Sequence, residues 1–307
     1  MSIDIEVVRK EFNIKQIYKM SDSHTNEIYK IKIEHSDYFV LRVCKSKTYE
    51  EVYREVQLHK YLNLFGINCP QVKSFKNEYI FEIYDKTSGS RSIGIVLEHI
   101  DGKYPTTSKD MYKMGVLLGK LHTIPIPDFI KEPCGFNSLT IKNYEFPEEF
   151  YNYFNKLGLD MNSVVHNGKL KNFNSEKGLC HGDFFRINSL IKHMDAYMLD
   201  LEGMGKGEYI YDLAMACFGL ITPRTTQIEL ELLYNFLEGY NSQKTLQHDT
   251  INNLKHFVAV AAIKNAYWRY NYYQNNPYNR DISKGLWKKS LDTASSWINL
   301  TTKEALR

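Results

Sequence analysis

His181-Gly-Asp-Phe-Phe-Arg-Ile-Asn188, followed after a short polar turn by Met198-Leu-Asp-Leu-Glu202, is the stretch whose reading decides the fold. It spaces a proton acceptor and two hard oxygen ligands as phosphoryl transfer requires. That reaction asks little covalent chemistry of a protein: a base near an acceptor hydroxyl, and divalent cations on the nucleotide phosphates held by oxygen ligands. Asp183 is the candidate base. Asn188, at the far end of the same loop, offers an amide oxygen, and Asp200 ends the next apolar segment. Between them, Asn188 to Asp200 reads as two short strands around a His193-Met194-Asp195 turn, and a hairpin of that kind brings residues 188 and 200 side by side.

Outward from this block, the N-terminal third is rich in β-formers. Residues 28–34 and 37–43 predict a hairpin about His35-Ser-Asp37. Thr48 is a candidate N-cap for a helix that Gly66 ends, and segments 71–76, 78–84 and 92–98 complete a five-stranded antiparallel reading. After Asp101-Gly102 the character changes. Met111 to His122 is an apolar helix, and from about residue 147 helices dominate apart from the central hairpin. Strands with one helix, then a helical lobe, make an α+β chain, divided into residues 1–99 and 100–307.

Composition bounds the partners. The 307 residues are 43% apolar and 14% aromatic, enough for sizeable cores. The formal charge of +3, from 39 basic and 36 acidic side chains, is too balanced to predict a nucleic-acid or membrane surface. No apolar run approaches the roughly eighteen residues of a membrane span, and the acids in Met1-Ser-Ile-Asp-Ile-Glu6 do not suit a secretory leader. A cytoplasmic protein, monomeric or dimeric, is expected. The five cysteines are odd in number and form no Cys-x-x-Cys pair, which predicts reduced thiols rather than disulfides or zinc.

His181-Gly-Asp183, Asn188, Leu199-Asp-Leu-Glu202 and Tyr211-Asp-Leu-Ala214 resemble the aminoglycoside phosphotransferase and choline kinase family, whose members share the protein-kinase-like fold. The resemblance extends over most of the chain. It implies a two-lobed enzyme with a small five-stranded antiparallel N-lobe carrying one helix and a larger, mainly helical C-lobe. It also implies ATP as donor, with GTP the alternative, Mg2+ as cofactor, and a nucleotide and a small hydroxylated acceptor as partners.

The resemblance distributes roles by position. Arg42 stands where the family carries a Lys or Arg on the third strand, suited to clamping phosphate oxygens. Glu55 is preferred over Glu51, one turn earlier, as the partner of that cation. His181 is read as holding the loop, and Asp212 as bracing its backbone. Glu202 offers a second carboxylate to metal or substrate, and Arg186 faces either the transferred phosphoryl group or solvent. Met20-Ser-Asp-Ser-His-Thr-Asn26 contains no glycine, so backbone N–H groups from Ser21 through Ser23 to Asn26 either approach phosphate or form a plain turn. Glu98 and Ile100 lie in the linker expected to meet the adenine. The acceptor is sought among the acids Glu202, Glu208, Glu229, Glu231 and Glu238, which suit either a cationic acceptor or a solvated helix face, and among the rings of Asn265 to Tyr273, including Trp268, which suit either an ammonium group or core packing. The preferred acceptor is a small hydroxylated amine, aminoglycosides included. A choline- or homoserine-type kinase is the narrower alternative, and a nucleotide-binding pseudokinase the alternative of another class, motivated by the glycine-free loop and by arginine at position 42.

Overall fold

The computed structural model describes residues 13–22, 26–33, 37–74, 77–84, 91–134, 145–165, 176–222, 227–275 and 285–300, with positions 9, 89 and 173. The chain divides into two compact units, one of residues 1–103 with 192–202, the other of residues 104–191 with 203–307.

The first unit is an antiparallel sheet with a helix. Its strands are β1 (Ile14–Asp22), β2 (Asn26–Ile33), β3 (Tyr38–Cys44), β4 (Val72–Lys73), β5 (Ile80–Tyr84) and β6 (Arg91–Glu98). The order is β1-β2-β3-β6-β4, with β5 also pairing β6. The sheet therefore has six strands rather than five. The extra one is β1, whose Ile-Lys-Gln-Ile-Tyr-Lys run alternates too weakly to announce itself and is interrupted by irregular registers near Ile14 and Lys19. The segment 71–76 shortens to Val72–Lys73, and 75–76 lie outside the described residues.

Alternation along β2 and β3 sends Tyr29, Ile31, Leu41 and Val43 into one cluster with Ile14, Ile83 and Val96. The other face packs Cys44, Ile80, Ile95 and Leu97 on Val52 and Val56 of helix α1 (Tyr49–Leu64). Thr48 opens that helix with a reciprocal capping box: its hydroxyl accepts from the Glu51 N–H at 3.3 Å, and Glu51 accepts from the Thr48 N–H at 2.7 Å. Glu51 is thereby committed to the helix start. The helix ends before Gly66, in the left-handed region at φ 70°.

The second unit is mainly helical: α2 (Ser108–Leu121), α3 (Glu148–Lys156), α4 (Met161–Val165), α5 (Tyr209–Ala216), α6 (Leu230–Asn241), α7 (His248–Asn275) and α8 (Leu286–Ile298). Helix α2 packs on α6, and α7 packs on both α8 and α5. Tyr267 and Tyr270 of α7 serve this packing. Phe150 is fully buried, stacks on Trp287 at 4.8 Å and meets Tyr270 edge-on at 5.3 Å. The unit also holds a pair that the sequence reading overlooked, β7 (Lys177–Cys180) antiparallel to β10 (Gly205–Glu208). These glycine-containing runs lack the β-branched residues that mark a strand. Strands β8 (Ser189–Lys192) and β9 (Asp195–Met198) pair as a separate two-stranded sheet. An antiparallel sheet with its helix and a helical second unit make the chain α+β. Among the described residues, no helix is long and apolar enough to cross a membrane.

Candidate active site

The loop from His181 to Asn188 leaves β7 and is held by one buried carboxylate. Asp212, in the first turn of α5, accepts the backbone N–H of His181 at 2.7 Å and of Gly182 at 2.7 Å, and bonds His122 Nε2 at 3.0 Å. Three donors to one carboxylate favour its charged form, so its pKa falls although burial pushes the other way. His122 is fixed in turn by Tyr240 at 2.7 Å. His122, Cys180 and Asp212 lie close enough to chelate a metal. Their chemistry argues otherwise, because burial drives the Cys180 thiol well up and the carboxylate is already saturated by hydrogen bonds.

Gly182 turns the chain at φ 81°, a conformation costly for any residue with a Cβ. The fully buried His181 then accepts the Asp183 N–H on Nδ1 at 3.3 Å. A ring nitrogen that accepts carries no proton, so the other nitrogen does. Asp183 itself is only half-buried. The loop closes through a short 3-10 turn at Arg186–Asn188, where Asn188 donates both amide hydrogens to Asp183, one to the backbone carbonyl and one to Oδ2, each at 2.9 Å. The amide oxygen of Asn188 is thus the atom left for a hard cation. Arg186 donates to the Leu220 carbonyl at 2.8 Å.

The first unit holds a charged cluster. Arg42 on β3 and Glu55 on α1, 5% and 3% exposed, meet at 2.5 Å. Lys47, just beyond β3, reaches Glu55 at 3.2 Å and Glu202 at 2.5 Å, and Asn26 donates to Glu202 at 3.2 Å. Burial alone would raise the Glu55 pKa, but Arg42 and Lys47 outweigh it and hold the group at about 2. Asp200 follows β9 with φ 56°, a left-handed conformation that costs a non-glycine residue roughly 1 kcal/mol. Its side chain remains accessible although protein crowds it, and burial plus the Glu202 charge raise its pKa to about 6 against the pull of Arg42. A divalent cation would relieve that repulsion, and the donor set is the hard oxygen type it prefers, so the residues present fit such an ion.

Of the residues singled out in the sequence, Arg42, Glu55, Asn26, Asp200 and Glu202 therefore share one cluster in the first unit. Asp183, Asn188, His181, Asp212 and Arg186 share the loop of the second. Ser21 pairs with Ile28 in the β1–β2 ladder, and Ser23 lies outside the described residues. In the linker, the Glu98 N–H is already donated to the Gln71 carbonyl at 2.8 Å, and the buried Ile100 gives its carbonyl to Gly102 at 3.0 Å. Trp268 is 55% exposed and stacks on Tyr272. Lys47 escaped the sequence reading; the only signal is a second lysine in the polar turn between Arg42 and the Thr48 cap.

Burial in this cluster has a pH signature. His59 of α1 donates from Nδ1 to the Pro70 carbonyl at 2.8 Å, and burial lowers its pKa to about 4. A base with a depressed folded pKa stabilises the fold above its unfolded value of 6.5 and loses that contribution as pH falls toward 4, at most roughly 3 kcal/mol. Glu55 continues the loss from 4.5 down to about 2. Asp200 acts oppositely below pH 6, though as an accessible group it contributes less. Urea midpoints are therefore expected to drop between pH 7 and 4.5, and His59→Gln should flatten that drop; an unchanged pH slope in the variant would refute the assignment.

Among solved structures, the chain resembles a microcompartment-associated aminopropanol kinase (TM-score 0.74, 15% identity, 99% of each chain covered). It resembles amicoumacin kinase hAmiN, determined with AMP-PNP, Ca2+ and Ami (TM-score 0.71, 15% identity, 94% of this chain and 93% of that one). A third is a choline/ethanolamine kinase family protein from Mesorhizobium loti (TM-score 0.60, 14% identity, 98% and 97% covered). At these identities the likeness shows the fold, which is protein-kinase-like. No curated protein matches the chain in sequence. The sequence profile of the phosphotransferase enzyme family matches residues 19–246, a span that contains the Arg42–Glu55 pair, the Asp183 loop and the Asp212 brace, and the chain accordingly belongs to that family.

Proposed function

We propose that the protein is an ATP- and divalent-metal-dependent small-molecule kinase that phosphorylates a hydroxyl of a small hydroxylated acceptor, a hydroxylated amine being the reading the sequence favours. The observation that carries it is the Asp183 carboxylate, half-buried at the end of a loop pinned by Asp212 and oriented by Asn188 at 2.9 Å. A base so held can take the acceptor proton without first having to be ordered. In the reaction the acceptor oxygen bonds the γ-phosphorus, the bond from that phosphorus to the ADP oxygen breaks, and the acceptor proton passes to Asp183.

Arg42, kept cationic and rigid by Glu55, would contact the nucleotide phosphates, with Lys47 as a second cation. Asn188 and Asp200 would hold the metal, with Mg2+ the expected ion, and Glu202 stands by as a further carboxylate. A bound cation would neutralise charge on the phosphates. AMP-PNP and Ca2+ in the amicoumacin kinase, and the amino alcohol named for the aminopropanol kinase, support nucleotide, metal and an aminated acceptor here.

The test is magnesium-dependent ATP turnover across aminoglycosides, choline, homoserine and sugars. Phosphorylation of at least one acceptor is expected. Nucleotide binding with no acceptor phosphorylated would hand the argument to the pseudokinase.

A further inference from the structure

The second unit contains a cavity of about 130 Å³ whose wall begins two residues after Asp183. Phe185, Arg186 and Ile187 form one side; Phe218 and Gly219 lie opposite, in a π-helical turn at Cys217–Ile221 that extends α5. Such widened turns tend to occur where a helix is shaped around a site. Gly219 is required there, because a Cβ would stand 1.9 Å from Phe185 Cδ1. The remaining wall comes from Thr222, from Arg269 of α7 and from Lys289, Ser290 and Thr293 of α8.

The lining is one-signed. Three cations, Arg186, Arg269 and Lys289, border this small space, and among the described residues no acidic side chain lines it. Two of the three are held in place, Arg186 by the Leu220 carbonyl and Arg269 by Ser290 Oγ at 3.0 Å and the Leu286 carbonyl at 3.3 Å. An anion entering a space bordered by three cations is favoured by their combined charge. Burial lowers the Arg269 pKa, and the charge of Asp183 pulls it back up. Phe185 and Arg186 follow Asp183 in the same loop, which places the cavity beside the proposed base. The acids considered earlier as a cationic-acceptor surface are otherwise engaged where their partners are known, Glu231 with Ser108 and Glu208 with Lys177.

We infer that this cavity binds an anionic group of the acceptor, a carboxylate or a phosphate, while the acceptor hydroxyl lies at Asp183. The inference rests on the kinase reading and narrows it, because a simple amino alcohol or an aminoglycoside lacks the group that these cations recognise. A hydroxy amino acid carries both features. The apolar rings of Phe185 and Phe218 suit the short carbon chain between anion and hydroxyl.

Matched acceptors that differ only in the anion provide the test: homoserine against 3-aminopropan-1-ol, serine against ethanolamine, and glycerol 3-phosphate against glycerol. The anionic member of at least one pair is expected to show a kcat/KM higher by about tenfold or more, and which pair responds tells carboxylate from phosphate. Lys289→Gln, an exposed position, and Arg269→Gln should each raise the KM of that acceptor by about 10- to 100-fold, with kcat and the KM of ATP little changed. Equal use of both members of every pair would overturn the inference. So would a rise in the KM of ATP that is common to both acceptors, since the cations would then serve the nucleotide. If no acceptor is phosphorylated, calorimetric binding of the same compounds decides: anion binding weakened by Lys289→Gln sustains the site while the kinase reading falls, and no anion binding ends the inference.

Discussion

Asp183→Asn is expected to lower kcat by about three orders of magnitude or more while leaving the dissociation constant of MgATP nearly unchanged. General-base catalysis contributes on the order of 10²- to 10⁴-fold, and the loop geometry concentrates that contribution in one oxygen pair. Asn188 donates to Asp183 Oδ2 at 2.9 Å, so an amide in place of the carboxylate loses both the proton-accepting charge and, in one of its two orientations, the hydrogen bond that aims it. None of the groups that bind Arg42 or Lys47 is touched by the change. Asp200→Ala should do the reverse, weakening metal-dependent nucleotide binding, since its accessible carboxylate is the one that a cation would relieve. Fluorescent-nucleotide titration alongside single-turnover kinetics separates the two. Equal and mild losses from both substitutions would sink the role assignment.

Why some of this architecture was readable in one sequence and some was not follows from the kind of signal each part leaves. The β2–β3 hairpin, the helix from Thr48 to Gly66 and the β8–β9 hairpin announce themselves through alternation, a capping residue and a glycine, all local chemistry. The pairing of Arg42 with Glu55 was reachable through the family resemblance, which implies a cation on the third strand and its glutamate on the following helix. Strand β1 and the β7–β10 pair were not, because their stability comes from partners far along the chain rather than from their own residues. Glycines in β7 and β10 carry no propensity for a strand; they permit close approach instead, as at Gly205, where a Cβ would stand 2.6 Å from the Cys134 nitrogen. The cavity beside Asp183 draws its cations from Arg186, Arg269 and Lys289, three positions that only tertiary packing brings together. The ring-rich segment was open to an ammonium cage or to core packing, and Tyr267 and Tyr270 pack on Phe146, Phe150 and Trp287.

Glu55→Ala is expected to destabilise the protein by about 3–5 kcal/mol, the cost of leaving a buried guanidinium without its counter-charge. Arg42 is 5% exposed and the pair closes at 2.5 Å, so water cannot take over from the lost carboxylate. Lys47 suffers less, because it keeps Glu202. Arg42→Met alone should also destabilise, since Glu55 then depends on Lys47 and its pKa climbs from about 2 under the burial that now dominates. The double variant Arg42→Met/Glu55→Leu removes both charges and fills much the same volume, and its stability should return to within about 2 kcal/mol of the parent. Its MgATP affinity should not return, because an apolar pair offers nothing to phosphate oxygens. Stability and nucleotide binding would thus part company in a single double-mutant cycle, measured by urea unfolding and by nucleotide titration. A double variant that recovers both would mean that the Arg42–Glu55 pair serves the fold alone, and that phosphate contact belongs to Lys47, which stands at the same cluster with one carboxylate on either side.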